Sequence, residues 1–186
     1  MKRNVIAHVK LRPIERADVE LLYKWNNENV LGQWQGREFV SLSEYIRRYD
    51  AGDFNSGTLQ LLIVEARKPA GLFAIKFPRK GLAQFGISLD PAFRRQGIAY
   101  QALILAVNYV FDNYQVERIE ADTDVENDVA KRPLLKAGFR LEGVLRRYRY
   151  HHGKFHDAAM YSLIRGDAFG KHQNRKEVKN EQRRKN

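Results

Sequence analysis

From Val9 onward the chain switches between stretches with apolar residues at every second position and stretches with them at every third or fourth. Residues 9–11 read as a short strand, broken at Arg12 and Pro13. Residues 17–25 read as a helix with Val19, Leu22, Tyr23 and Trp25 inward. Residues 26–39 carry Asn, Gly and Gln around Trp34 and read as a loop, after which Ser41 and Glu44 form a capping-box pattern for a helix over 42–49. After a loop over 50–57 the alternation becomes two-fold. Strands are expected over 58–66, 72–77 and 82–89, with turns at 67–71 and 78–81. A helix follows over 97–113, its stripe set by Ile98, Ala102, Leu105, Ala106, Tyr109 and Val110. Residues 116–125 form a strand, and Asn127 caps a helix that Gly138 closes. Strands over 139–148 and 155–164 flank a turn at 151–154. The order is β-α-α-β-β-β-α-β-α-β-β. Antiparallel strands come first and β-α-β-α-β follows, so the fold class is α/β (α+β) with a mixed sheet covered by helices.

At 186 residues, this pattern fits one domain over 1–169, followed by a basic tail over 170–186. A hydrophobic content of 44% and an aromatic content of 11% exclude wholesale disorder. No apolar run approaches the roughly twenty residues that span a bilayer, and the first ten residues lack the apolar core of a secretory leader, so a cytoplasmic location is the expectation. The absence of cysteine excludes disulfides, thiolate metal sites and a cysteine nucleophile. The net charge is +11, of which the tail holds +5: seven lysines and arginines against Glu177 and Glu181. A basic body suits a polyanionic cofactor, ribosomal RNA or simple solubility. The tail is expected to be disordered and solvated, with RNA or ribosome contact as the alternative.

Chemistry concentrates where the strand ending at Leu89 meets the helix starting near Gly97. Between them lie Asp90, Pro91 and the basic loop Arg94, Arg95, Gln96, Gly97, Ile98 and Ala99. The first N–H groups of a helix have no intrahelical partner, and the dipole adds roughly half a positive charge there. Gly97 lets backbone approach a ligand, and Arg94 and Arg95 add full charges, so the loop suits a pyrophosphate. A solvated basic turn is the alternative. No Gly-x-Gly-x-x-Gly run or Gly-Lys-Ser/Thr motif points to a dinucleotide fold or a P-loop.

Four motifs occur in order: Leu11-Arg-Pro13 with Asp18 and Trp25; Arg94-x-x-Gly97-x-Ala99; Glu126-Asn127 through Lys136-Ala-Gly-Phe139; and Glu142-Gly-Val-Leu-Arg146 with Asp157 and Tyr161. Together they span about 9–167 and resemble the GNAT superfamily of acetyl-CoA-dependent N-acetyltransferases, in particular the branch of Rim-type ribosomal-protein N-terminal acetyltransferases. The resemblance implies that the strand before the loop bulges and splays from its neighbour. Acetyl-CoA then lies in the cleft as co-substrate, with its pantetheine arm on Ile87, Ser88 and Leu89 and its pyrophosphate on residues 94–99. It places Asn127 beside the thioester and implies direct attack by an amine, with a backbone N–H of Ser88 or Leu89 facing the oxyanion. The implied acceptor is a protein N-terminal α-amine. The alternatives are a small amine (amino sugar, polyamine or antibiotic), or a low-turnover module that binds acetyl-CoA or RNA.

The chain departs from the family where acid–base residues usually stand. Gln84 occupies the place of a common glutamate, Leu134 that of a tyrosine and Ala130 that of a serine, while Pro133 removes an N–H from the same helix. Glu120, Asp122 and Asp124 alternate along one strand and share a sheet face, where they can draw in a cationic amine and take its proton. Pairing with the chain's many arginines is the alternative. Glu120 is the first choice as base, and Asp122 and Trp34 are acceptor contacts. Tyr148 and Tyr150 are secondary candidates for the acid. His151, His152 and His156 flank a turn without the carboxylate–histidine spacing of a known metal site, so no metal is expected.

Overall fold

The computed structural model describes residues 8–28 and 39–167; Trp34, most of the predicted loop over 26–39 and the tail lie outside them. Seven strands, β1 (Val9–Pro13), β2 (Leu59–Ala66), β3 (Lys68–Arg79), β4 (Gly81–Leu89), β5 (Val116–Asp124), β6 (Arg140–His151) and β7 (Lys154–Ile164), form one sheet in the order β1-β2-β3-β4-β5-β7-β6. Among the described residues only the β4–β5 pair is parallel. The helices are α1 (Val19–Asn27), α2 (Leu42–Asp50), α3 (Ile98–Asn113) and α4 (Asp128–Ala137). The mixed sheet and the order of elements match the expectation. No helix among the described residues is long and apolar enough to cross a membrane.

The odd positions of β4 and β5 (Ala83, Phe85, Ile119, Ala121) pack with α3 and α4 into the main core. On the other face a smaller cluster of Ile14, Leu22, Trp25, Phe54 and Ile63 covers the β2–β3 half of the sheet. Gln84 and Ser88 of β4 and Arg118, Glu120, Asp122 and Asp124 of β5, at even positions, put polar side chains on that second face.

Local differences from the sequence pattern have physical causes. β3 begins at Lys68 rather than 72, because a register shift at Val64 and Glu65 absorbs the irregularity and only Arg67 turns, with φ +70°. Pro69 is tolerated because β4 ends opposite Gly71, so on that side the missing N–H breaks no ladder. α1 runs two residues beyond Trp25, where Asn27 donates to Tyr23 O and Val40 O, both at 3.0 Å. Only half of the expected capping box at α2 forms: Ser41 Oγ accepts from the Glu44 N–H at 3.1 Å, but the Glu44 carboxylate goes to Arg47 and Arg48. On α3, Leu105 and Tyr109 are exposed and the buried stripe is instead completed by Leu103, Val107 and Phe111. The final hairpin closes through His152 and Gly153, both at positive φ, a two-residue turn whose twist suits antiparallel strands.

Asp18 ties β1 to the start of α1. Arg12 donates to both of its oxygens, at 2.6 and 2.9 Å, and the Glu15 N–H adds a third bond at 2.8 Å. The Arg12 hydrogen bonds hold the Asp18 carboxyl below the usual range against the opposing effect of burial. A depressed folded-state pKa adds stability above the unfolded value near 3.9 and loses it as the pH falls through the folded value. Asp18→Asn is therefore expected to cost about 2 kcal/mol at pH 7. In urea melts its deficit against wild type should shrink as the pH drops below about 4; a constant deficit would contradict the ionic role.

Candidate active site

β4 and β5 run side by side for only a few residues. Their register pairs Gly81 with Val116 and ends at Gln84 with Glu120. Beyond that point β4 stays with β3 as far as Leu89, while β5 stays with β7 as far as Asp124. The two strands therefore part, and a cleft opens with Gln84 and Glu120 at its apex. The expected splay is present. The expected bulge opposite the cleft is not: the β3–β4 register is unbroken from Gly71 and Leu89 to Lys76 and Gln84, and the irregularities of β4 fall at its start. The split comes instead from β5 leaving β4.

Ile87, Ser88 and Leu89 form the β4 wall of the cleft. Ile87 and Leu89 lean on the main core, and Ser88 faces the opposite side with Gln84 and Gly86. At the mouth, Asp90 Oδ1 accepts from the Ala92 N–H at 2.9 Å and starts a short 3-10 turn over Pro91–Phe93. Arg94 Nε then donates to Leu89 O at 2.9 Å, and Gln96 Nε2 to Ala92 O at 2.8 Å, folding the loop on itself. Arg95 is exposed at φ +60°. Gly97 sits at φ +78° as the N-cap of α3, with no side-chain cap. A Cβ built on Gly97 would point into open space. The N–H groups of Ile98, Ala99 and Tyr100 thus begin a sixteen-residue helix at the cleft mouth without intrahelical partners.

Across the cleft, Asn127 is buried at the start of α4. Its Oδ1 accepts from the Ala130 N–H at 3.3 Å, and its Nδ2 donates to Thr123 Oγ1 at 3.1 Å. The asparagine is thus a helix cap tied to β5, held rigidly beside the gap. Gly138, at φ +96°, ends α4 as expected.

Glu120, Asp122 and Asp124 share one face, and each has a basic side chain beside it. Glu120 Oε1 accepts from Arg118 Nε at 2.8 Å, and its Oε2 lies 3.4 Å from Gln84 Nε2. This bond to Glu120 is the main reason the Arg118 guanidinium holds its proton more tightly than usual. Arg118 also reaches Glu142 at 2.9 Å. A hydrogen bond from the Ser162 hydroxyl, helped by Arg118, draws the Glu142 carboxyl below its ordinary range. Asp122 is met by Arg149, whose Nη2 lies 2.7 Å from Oδ2. Asp124 is buried against His151 Nε2 at 2.5 Å. The alternative of pairing with arginines therefore describes Glu120 and Asp122. A signal for the first pair was present: Arg118 lies two positions before Glu120 on a strand and so shares its face. The Asp124–His151 contact had no such local signal. Tyr148 and Tyr150 are more than half exposed on β6, and Trp34 lies outside the described residues.

A family model described as an acetyltransferase (GNAT) domain matches residues 8–140. An uncharacterized N-acetyltransferase of Bacillus subtilis (strain 168), YoaA, is 36% identical over 83 residues, 45% of this chain; the match spans 47% of that relative, about half its length. The spermidine N(1)-acetyltransferase of Escherichia coli (strain K12) is 25% identical over 169 residues, covering 88% of this chain and 90% of that protein. A solved structure of RimL, a ribosomal L7/L12 α-N-protein acetyltransferase in complex with coenzyme A, superposes with a TM-score of 0.76 at 22% identity. It covers 86% of this chain and 95% of that one, a likeness of fold.

Proposed function

The chain belongs to the GNAT acetyltransferase family and is an N-acetyltransferase, and from that premise we propose that it acetylates the α-amine of a protein N-terminus. The observation that carries the choice of acceptor is the state of the carboxylates beside the cleft. Among the described residues, Glu120 and Asp122 already have arginine partners, and Asp124 is buried against a histidine. A polyamine, with several cations to satisfy, is poorly served by such a face. An α-amine has a reference pKa near 8 against about 10.4 for a lysine-like amine, so more of it is neutral and it needs less help from a base. Gln84, Ala130 and Leu134 at the usual acid–base positions agree with that lighter demand.

In this reading the pyrophosphate of acetyl-CoA lies on residues 94–99, met by the N–H groups at the start of α3 and by the charge of Arg95. The pantetheine arm follows Ile87, Ser88 and Leu89, and Asn127 faces it from the start of α4. The neutral amine attacks the thioester carbon directly, forming the C–N bond. The register that gives the Asp90 N–H to Ala70 O also turns the Ser88 N–H toward β3, so it is the N–H of Leu89 that stabilises the oxyanion until the C–S bond breaks. The ammonium then loses its proton through water toward Glu120, and the departing thiolate takes one from solvent. Neutralising Glu120 as Glu120→Gln is expected to leave acetyl-CoA affinity intact. Turnover should fall about tenfold, chiefly at lower pH where less amine is neutral. An unchanged pH–rate profile would make Glu120 structural only.

The acceptor is tested by thiol release from acetyl-CoA with free-N-terminus peptides, spermidine and an amino sugar. Peptides are expected to give the highest kcat/KM. Preference for spermidine would overturn the acceptor assignment and favour the activity named for the Escherichia coli relative. Acetyl-CoA binding without turnover on any amine would indicate a binding module.

A further inference from the structure

At the far end of the carboxylate face, the end of β5 and the β6–β7 hairpin bring three donor groups together. Ligand atoms of Asp124, His151 and His156 all lie within 4.8 Å of one another. Asp124 is 1% exposed and His151 5% exposed, deep for a carboxylate and an imidazole. His151 Nε2 is 2.5 Å and His156 Nδ1 3.9 Å from the same oxygen, Asp124 Oδ2. The other oxygen, Oδ1, accepts no hydrogen bond although it is buried, with Arg149 Nη1 3.8 Å away. Arg149 directs its Nε and Nη2 at Asp122, so its charge is shared with a second carboxylate.

The tautomer of His156 adds a chemical argument. Its Nε2 lies 3.3 Å from the backbone oxygen of His151, which can only accept, so Nε2 carries a hydrogen in that contact. In the neutral ring the lone pair is then on Nδ1, aimed at a carboxylate, an arrangement that a cation between them would resolve. A carbonyl holding the far nitrogen of a histidine is also the usual outer support of a metal ligand.

We propose that Asp124, His151 and His156 bind one divalent transition-metal ion of the zinc class and so pin the β6–β7 hairpin to the end of β5. Two imidazoles and a carboxylate suit zinc or cobalt(II), whose ligand atoms stand about 3.3 Å apart around a tetrahedral ion. The stacked rings of His151 and His156, 3.8 Å between centroids and 11° between planes, must open for both lone pairs to meet one ion. His156, the more exposed of the two, turns to do so. The carboxylate comes from 27 residues before the nearer histidine, which is why sequence spacing hides the set.

The test is cobalt(II) and zinc titration of the full chain after chelation and dialysis, followed by visible absorption and calorimetry. The expected result is 1:1 binding with a cobalt band of tetrahedral type. The affinity should fall at least about 100-fold in His156→Gln and hold in His152→Ala, whose ring packs edge-on against His151 and is not one of the three ligands. Both variants are first matched to wild type by circular dichroism in chelator. Absence of stoichiometric binding by wild type, or equal affinity in His156→Gln, would overturn the site.

Discussion

Gly97→Val is expected to weaken acetyl-CoA binding at least about 100-fold, a loss of roughly 2.7 kcal/mol, in calorimetric titration. Two effects act together. Gly97 holds φ +78°, a conformation that costs an L-residue roughly 1–2 kcal/mol and a β-branched one more. A side chain there would also project into the open space before the first N–H groups of α3, where the pyrophosphate is proposed to rest. Gly81 separates the two effects, because it holds φ +80° at the β3–β4 turn, far along the sheet from the loop, with open space around its Cβ. Gly81→Ala should lower stability by a comparable strain and leave affinity unchanged. Equal affinity in Gly97→Val and wild type would remove the phosphates from this loop.

Gly71→Ala is expected to have the largest effect on the fold, lowering stability by about 3 kcal/mol or more in urea melts. A Cβ on Gly71 would stand 2.2 Å from Ser88 O, 2.8 Å from Leu89 Cδ2 and 2.9 Å from Leu89 Cα. Two of these three atoms belong to backbone, which cannot swing aside. Because Ser88 and Leu89 also wall the cleft, acetyl-CoA affinity should fall along with stability. Gly86 lies on β4 with Ser88 and Leu89, but its Cβ would meet only Ala74 Cβ at 3.9 Å, so Gly86→Ala should keep stability within about 0.5 kcal/mol. If the two variants melted alike, the close approach of β3 and β4 at the cleft would be wrong.

Features governed by local chemistry were legible in the sequence. The caps at Asn127 and Gly138, the glycine start of α3 and the hairpin turn after His151 each depend on a few neighbouring residues, and each stands where the pattern put it. Features governed by partners far along the chain were not. The early start of β3 through Pro69 depends on where β4 ends, and the exposure of Leu105 and Tyr109 depends on how α3 lies over the sheet. The site divides in the same way. The elements proposed to hold acetyl-CoA are a contiguous strand, loop and helix, whose geometry could be read directly. The carboxylate face proposed for the acceptor is assembled from β4, β5, β6 and β7, so the ties of Gln84 to Glu120, Arg149 to Asp122 and His151 to Asp124 emerge only with the register.

The parting of β4 and β5 after Gln84 and Glu120 is the feature on which the functional account turns. A crystal structure of the chain with acetyl-CoA tests it most directly. The expected density runs between the two strands, with the pyrophosphate against the N–H groups at the start of α3, the pantetheine arm along Ile87–Leu89 and the thioester level with Ser88. Density for the coenzyme anywhere outside the cleft, or a thioester facing away from Ser88 and Asn127, would contradict the account.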